Sequence, residues 1–141
     1  MRRIAWLLCV FFLLPASCAF SQSQAGPDVP KVLILGFDAY KMGGPDEAMR
    51  TWLRGSPNEG NRDVFSQASV LRSVQETYGA YRGFQVVSAR EVTPSTRILY
   101  MTIDYERGPL FAKFVLYRAD PGWIVTDLAF NANDAAILPV Q

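Results

Sequence analysis

An α+β chain, with helices leading and a four-stranded antiparallel sheet following, is what the sequence predicts. Between Arg62 and Tyr78 the apolar residues Val64, Ala68, Leu71, Val74 and Tyr78 recur at intervals of 4, 3, 3 and 4, the helical period. From Phe84 onward the pattern changes to short runs rich in β-branched and aromatic residues. These are separated by the breakers Thr93-Pro94-Ser95, Glu106-Arg107-Gly108-Pro109 and Asp120-Pro121-Gly122. Helices first and strands after, with no later alternation of the two, is an α+β order.

The chain opens with Met1-Arg2-Arg3, then Ile4 to Leu14 without a charge, then the small residues Ala16-Ser17-Cys18-Ala19 behind Pro15. A basic start, an apolar stretch and a small-residue cleavage site read as a secretory signal peptide over residues 1–19. A spanning helix needs about 20 apolar residues, and this run stops short. Cleavage after Ala19 fits the pattern. The segment also resembles a bacterial lipoprotein signal in which Cys18 would become the lipidated first residue, but Pro15 stands where that motif has Leu or Val. Plain export to the periplasm or beyond is the preferred reading, and a membrane tether follows only from lipidation of Cys18. Residues 20–29 form a polar linker, 30–134 the domain and 135–141 a C-terminal tail.

Composition removes whole classes of chemistry. The chain has no histidine, and its two cysteines, Cys9 and Cys18, both fall in the signal segment. The mature domain therefore lacks a Ser-His-Asp triad, a cysteine nucleophile, an ordinary zinc site and a disulfide. No calcium-loop spacing or phosphate-cradling glycine motif occurs, so no cofactor and no metal are expected. Loss of Arg2 and Arg3 from the 14 basic residues leaves 12 against 13 acidic ones, without a basic run. That balance argues against nucleic acid and against a membrane surface as partners.

Asp28 can cap a helix with Pro30 in its first turn. The run Lys31 to Tyr40 is then that helix or, read by periodicity alone, a buried strand ending at Gly36. Gly43-Gly44-Pro45 is a turn. Pro45 to Arg54 is a helix, with Asp46 and Glu47 at its start, Arg50 and Arg54 toward its end, and Gly55 as a stop. Met49, Trp52 and Leu53 share its buried face. Arg62 to Tyr78 follows as a longer helix ended by Gly79.

The strands are Phe84–Glu91, Arg97–Tyr105, Leu110–Arg118 and Trp123–Asn131. A tight turn near residues 107–108 pairs Thr102 with Lys113 and Asp104 with Phe111. Leu99, Met101, Ile103, Leu110, Ala112, Phe114 and Leu116 then share one wholly apolar face, which must be buried. Pairing Asp127 with Lys113 adds Ile124, Leu128 and Phe130 to that face, with only Thr126 out of character. A one-residue slip would put Asp127 in the core as an unpaired charge. The turn at Asp120-Pro121-Gly122 suits type II, with glycine at positive φ. The other face carries Tyr100, Thr102, Asp104, Lys113, Tyr117, Trp123 and Asp127 among Phe111, Val115, Val125 and Ala129. Arg82, Arg90, Arg97, Arg107 and Arg118 fall on turns and strand ends, where they solubilise edges.

Phe37-Asp38-Ala39-Tyr40 ahead of Gly43-Gly44-Pro45, Gly55-Ser56-Pro57, and the closing runs Phe114-Val115-Leu116-Tyr117, Gly122-Trp123 and Phe130-Asn131 resemble the nuclear-transport-factor-2-like fold. This cystatin-like α+β cone is shared with ketosteroid isomerase and scytalone dehydratase, and the likeness is to its small exported members of unknown function. It spans about residues 30–131. It implies that Lys31–Tyr40 is a helix and that the helices pack on a curved sheet, and it carries over no catalytic residue.

Three functions fit these residues. The preferred one is a non-catalytic module binding a small apolar or aromatic ligand or a protein. Its candidate contact residues are Tyr100, Asp104, Lys113, Trp123 and Asp127, aromatics and charges of the kind enriched in recognition surfaces. The same residues equally suit a plain cross-strand pair with packed aromatics, or closure of a homodimer. The second function is an isomerase- or dehydratase-like enzyme with Asp104 or Asp127 as base and Tyr100 or Tyr40 as hydrogen-bond donor; Lys113 beside the base would lower its pKa, the wrong direction. The third is an accessory subunit of an envelope complex.

Overall fold

The computed structural model describes residues 28–139. The expected signal segment, Cys18 and most of the expected linker lie outside the described residues. The order is α1 (Lys31–Leu53), α2 (Arg62–Phe65), α3 (Gln67–Tyr78), then β1 (Tyr81–Thr93), β2 (Thr96–Tyr105), β3 (Pro109–Arg118) and β4 (Trp123–Asn131), followed by a 3-10 turn at Asp134–Ala136. The strands form one antiparallel sheet in chain order, and the helices pack on one face of it. The fold is α+β.

Lys31–Tyr40 is helical, and its capping position falls two residues later than expected. Pro30 occupies the capping position without a side-chain cap. Asp28 therefore lies too early to reach the free N–H groups, and its carbonyl instead accepts from Arg97 Nη1 at 3.2 Å. α1 is two helices joined at a kink, where Gly44 takes φ 80° and ψ −169°. Only glycine holds that conformation cheaply, and Pro45 then starts the second half, where its missing N–H costs nothing. Gly36 has a packing reason to sit mid-helix. A Cβ there would land in the Trp52 indole, which crosses it and donates from Nε1 to the Leu33 carbonyl at 3.2 Å.

The third helical segment starts as expected, with the Asn61 side chain accepting from the Asp63 and Val64 amides. It is interrupted at Ser66, whose hydroxyl bonds back to the Asp63 carbonyl. Ala68, Leu71 and Val74 are buried, with Val64 and Tyr78 partly so against the same core.

The β2–β3 register differs from expectation by two residues: Tyr100 opposes Lys113, Thr102 opposes Phe111 and Asp104 opposes Pro109. The tight turn falls at Glu106-Arg107, one residue earlier than expected, with Tyr105 N donating to the Gly108 carbonyl at 3.1 Å, and it is tied to the end of α3. Glu106 N donates to the Ala80 carbonyl and Arg107 N to the Tyr78 carbonyl, at 3.1 and 2.9 Å. A two-residue shift preserves side-chain parity, so the expected inner face survives. Leu99, Met101, Ile103, Leu110, Ala112, Phe114 and Leu116 are all fully buried.

At β4 parity changes. Lys113 opposes Ala129 and Asp127 opposes Val115, so the expected Lys113–Asp127 pair is not formed. A bulge between Val115 and Leu116 leaves Thr126 as the extra residue, and beyond it Val125 opposes Leu116. Val125 is therefore the buried residue and Ile124 is not, the reverse of the expected order. The Thr126 hydroxyl donates to the Val115 carbonyl at 3.2 Å, and the Asn58 side chain holds the Thr126 carbonyl at 2.7 Å. Register shifts in β1 and this bulge in β4 curve the sheet around the helices. The β3–β4 turn also differs from type II: Asp120–Pro121 is cis, and Gly122 is outside the positive-φ glycines. The turn closes over Ala119–Gly122, with Ala119 N donating to the Gly122 carbonyl at 2.9 Å.

Candidate functional site

The concave side of the sheet is filled. Phe37 stacks on Phe84 with centroids 4.1 Å apart and meets Trp52 edge-on at 5.1 Å. Trp52 in turn abuts Phe114, and Phe114 abuts Phe130. These rings, with Leu33, Leu71 and Met101, occupy the space between helices and sheet. Nearer the α3 end lies a tyrosine group. The Tyr40 hydroxyl donates to Gln75 Oε1 at 3.2 Å and shares a 3.0 Å hydrogen bond with the Tyr105 hydroxyl. Tyr81 packs on both rings. Burial pushes all three phenols up. Tyr81 reaches about 12, with Asp38, Tyr40 and Asp104 adding to the effect of burial. Tyr105 rises further, through burial and then its bond to Tyr40. For Tyr40 burial outweighs the lowering from Tyr105.

The expected site residues divide between the two faces. Tyr100, Asp104, Lys113 and Asp127 stand on the outer face. Tyr100 opposes Ser88 on one side and Lys113 on the other. Asp104 accepts from Gln85 Nε2 at 2.6 Å, and Asp127 is exposed. None of these four side chains is ion-paired with another among the described residues. Trp123 is elsewhere. The bulge at Thr126 turns it to the helix side, where it packs against the core at the open end of the sheet.

There two guanidiniums come within reach of the Trp123 ring. The Arg97 and Arg118 carbons lie 5.1 and 5.2 Å from its ring centroid, within cation–π range. Arg97 does not serve as a solubilising edge residue: its side chain is 17% exposed, pairs with Glu91 at 2.7 Å, and has its Nε buried without a partner among the described residues. Between the start of α1 and the β3–β4 turn runs an open groove of about 430 Å³, with Lys31, Val32, Leu35, Arg54, Pro121 and Trp123 among its walls. Leu35 is 47% exposed there. A shallower hollow adjoins it over Arg118, Asp120 and Gly122.

Sequence reasoning named Trp123 and missed its arginine neighbours. The available signal was Thr126, the one misfit on an otherwise apolar face, which marks the bulge.

No family model matches this chain, and no curated protein matches it. Among solved structures, a domain of unknown function with a cystatin-like fold from Nostoc punctiforme is similar over 47% of this chain and 48% of that protein. The identity is 15% and the TM-score 0.34, and this chain spans about half the length of that protein.

Proposed function

We propose that this chain is an exported, non-catalytic binding module of the nuclear-transport-factor-2-like kind, and that its ligand contacts the end of the sheet marked by Trp123. One observation carries the reading: Trp123 is a half-buried indole, flanked by two arginines, on the wall of an open groove. Binding is favoured over isomerase-type catalysis by the placement of the carboxylates. Asp104 and Asp127 stand outside the sheet, whereas a raised-pKa base needs an apolar cavity, and the interior is packed with aromatic rings. Tyr40, the alternative donor, is already bonded to Tyr105 and Gln75.

The mature chain contains two tryptophans, Trp52 and Trp123, since Trp6 falls in the signal segment. Intrinsic emission, compared between wild type and Trp123→Phe, therefore reads the groove directly. A ligand-induced change that vanishes in the variant supports the reading. Ligands that change the emission of both proteins equally place the contact elsewhere and end it. Export is tested by the intact mass of the protein from an envelope fraction. A start at Phe20 without lipid supports a free module, and an acylated Cys18 replaces it with a tethered one.

A second reading assigns the outer face to a partner or a second copy of this chain. Tyr117, 45% exposed on that face opposite Thr96, favours it. Native mass measurement over a concentration series decides it.

A further inference from the structure

The groove beside Trp123 carries charge of one sign. Lys31 stands at the start of α1 and Arg54 just past its end, yet the kink at Gly44 folds α1 back so that both line the same groove. Neither is ion-paired among the described residues, and no carboxylate lines the groove. Of the acids around it, Glu91 holds Arg97, Asp120 lines the adjoining hollow, and Asp28, three residues before Lys31 with its carbonyl on Arg97, is not among the groove's walls. Behind the indole, Arg97 and Arg118 add two further cations. The remaining wall is apolar, with half-exposed Leu35, part-buried Val32, Pro121 and the indole itself. Its volume falls in the ordinary range for small-molecule sites, about 300–1,000 Å³.

Two separated cations over an apolar, aromatic floor have a definite chemical complement. We propose that this groove binds an amphipathic anion, a monocarboxylic acid whose hydrocarbon or aryl body lies on Val32, Leu35 and Trp123 and whose carboxylate meets Lys31 and Arg54. The inference rests on the reading of the chain as a binding module and specifies the ligand class. The body supplies affinity through area removed from water, and the head supplies selectivity through charge-assisted hydrogen bonds to guanidinium and ammonium. The indole, already held by two guanidiniums, is preorganised to receive a flat or flexible apolar chain without further ordering.

The test uses the mature chain and three probes of one chain length: decanoate, decanol and decyltrimethylammonium. 4-Phenylbutanoate is added to distinguish an aryl from an alkyl source of the same head. Binding is followed by Trp123 emission and by calorimetry. Decanoate is expected to bind at least tenfold tighter than decanol, and the cationic probe to give no signal. Lys31→Gln with Arg54→Gln should remove that tenfold preference while leaving decanol binding and the far-ultraviolet circular dichroism unchanged. Raising salt from about 0.05 to 0.5 M should weaken decanoate alone, because exposed charges are screened within about a Debye length. Equal binding of decanoate and decanol, or a decanoate affinity indifferent to the double substitution, overturns the anion assignment and leaves the binding-module reading standing. No change in Trp123 emission with any of the four probes overturns the assignment, and that reading then rests on other ligands tested through the same tryptophan.

Discussion

Trp52 and Trp123 lie on the same side of the same sheet and do opposite things. Trp52 is fully buried, crosses Gly36, donates its N–H to Leu33 and is ringed by Phe37, Phe114 and Phe130. Every face of that indole has a partner, so its contribution is to folding. Trp123 meets cations on its ring and open space along its edge. The same side chain thus serves as core at one place and as a contact surface 71 positions later in the chain. The difference is whether aromatic neighbours or guanidiniums surround it. A tryptophan that completes a packed core needs no ligand; one that ends in a charged groove leaves area for one.

The contrast breaks most directly by truncation. Trp52→Ala should cost about 3–5 kcal/mol, read as a drop in the urea midpoint, since it empties the centre of the core. Trp123→Ala should cost about 1 kcal/mol or less, as for a partly exposed site. Equal losses would erase the distinction between the two. Gly36→Ala sharpens it from the other side. The added methyl collides with the Trp52 indole, and a loss of about 1–3 kcal/mol is expected despite alanine's better helix propensity.

Alkaline pH separates the dry end from the wet one. The folded state raises the Tyr81 pKa to about 12 and that of Tyr105 further, above the ordinary phenol value near 10. The folded state therefore disfavours the phenolates. The stability these phenols contribute is whole below pH 10 and is lost as pH climbs through 12 and beyond. Unfolding midpoints measured from pH 9 to 12 should fall, and Tyr81→Phe should flatten that fall.

Smaller effects test the β4 geometry that delivers Trp123. Asn58→Ala removes the clasp on the Thr126 carbonyl and should cost about 1 kcal/mol, with Trp123 more accessible to an iodide quencher. The smallest effect expected is a coupling between Lys113 and Asp127. Directly opposed charges are worth about 0.2–1 kcal/mol. These two are offset along the strands, so a double-mutant cycle should return a value near the bottom of that range or below it.

Much of this fold was legible in the residues. The kink at Gly43-Gly44-Pro45, the inner face from Leu99 to Leu116 and the strand order all follow from local pattern and turn chemistry. The candidate site was legible only in part. Tyr100, Asp104, Lys113 and Asp127 do share a face, but Trp123 does not join them, because a strict two-residue alternation cannot anticipate a bulge. Arg97 and Arg118 read as edge residues for the same reason: their role exists only where Trp123 arrives.

The sequence by itself determined the helix-then-strand order, the export-like N-terminal pattern, the missing histidine and the inner faces of β2 and β3 from Leu99 to Leu116. Those properties are local, set by periodicity, breakers and composition. The tertiary structure decided which way β4 faces before Asp127, from Trp123 to Val125. Asn58, 68 positions from Thr126, fixes the bulge, and the α3 end fixes the β2–β3 loop. Bonds between distant segments set both, and no window of neighbouring residues contains them.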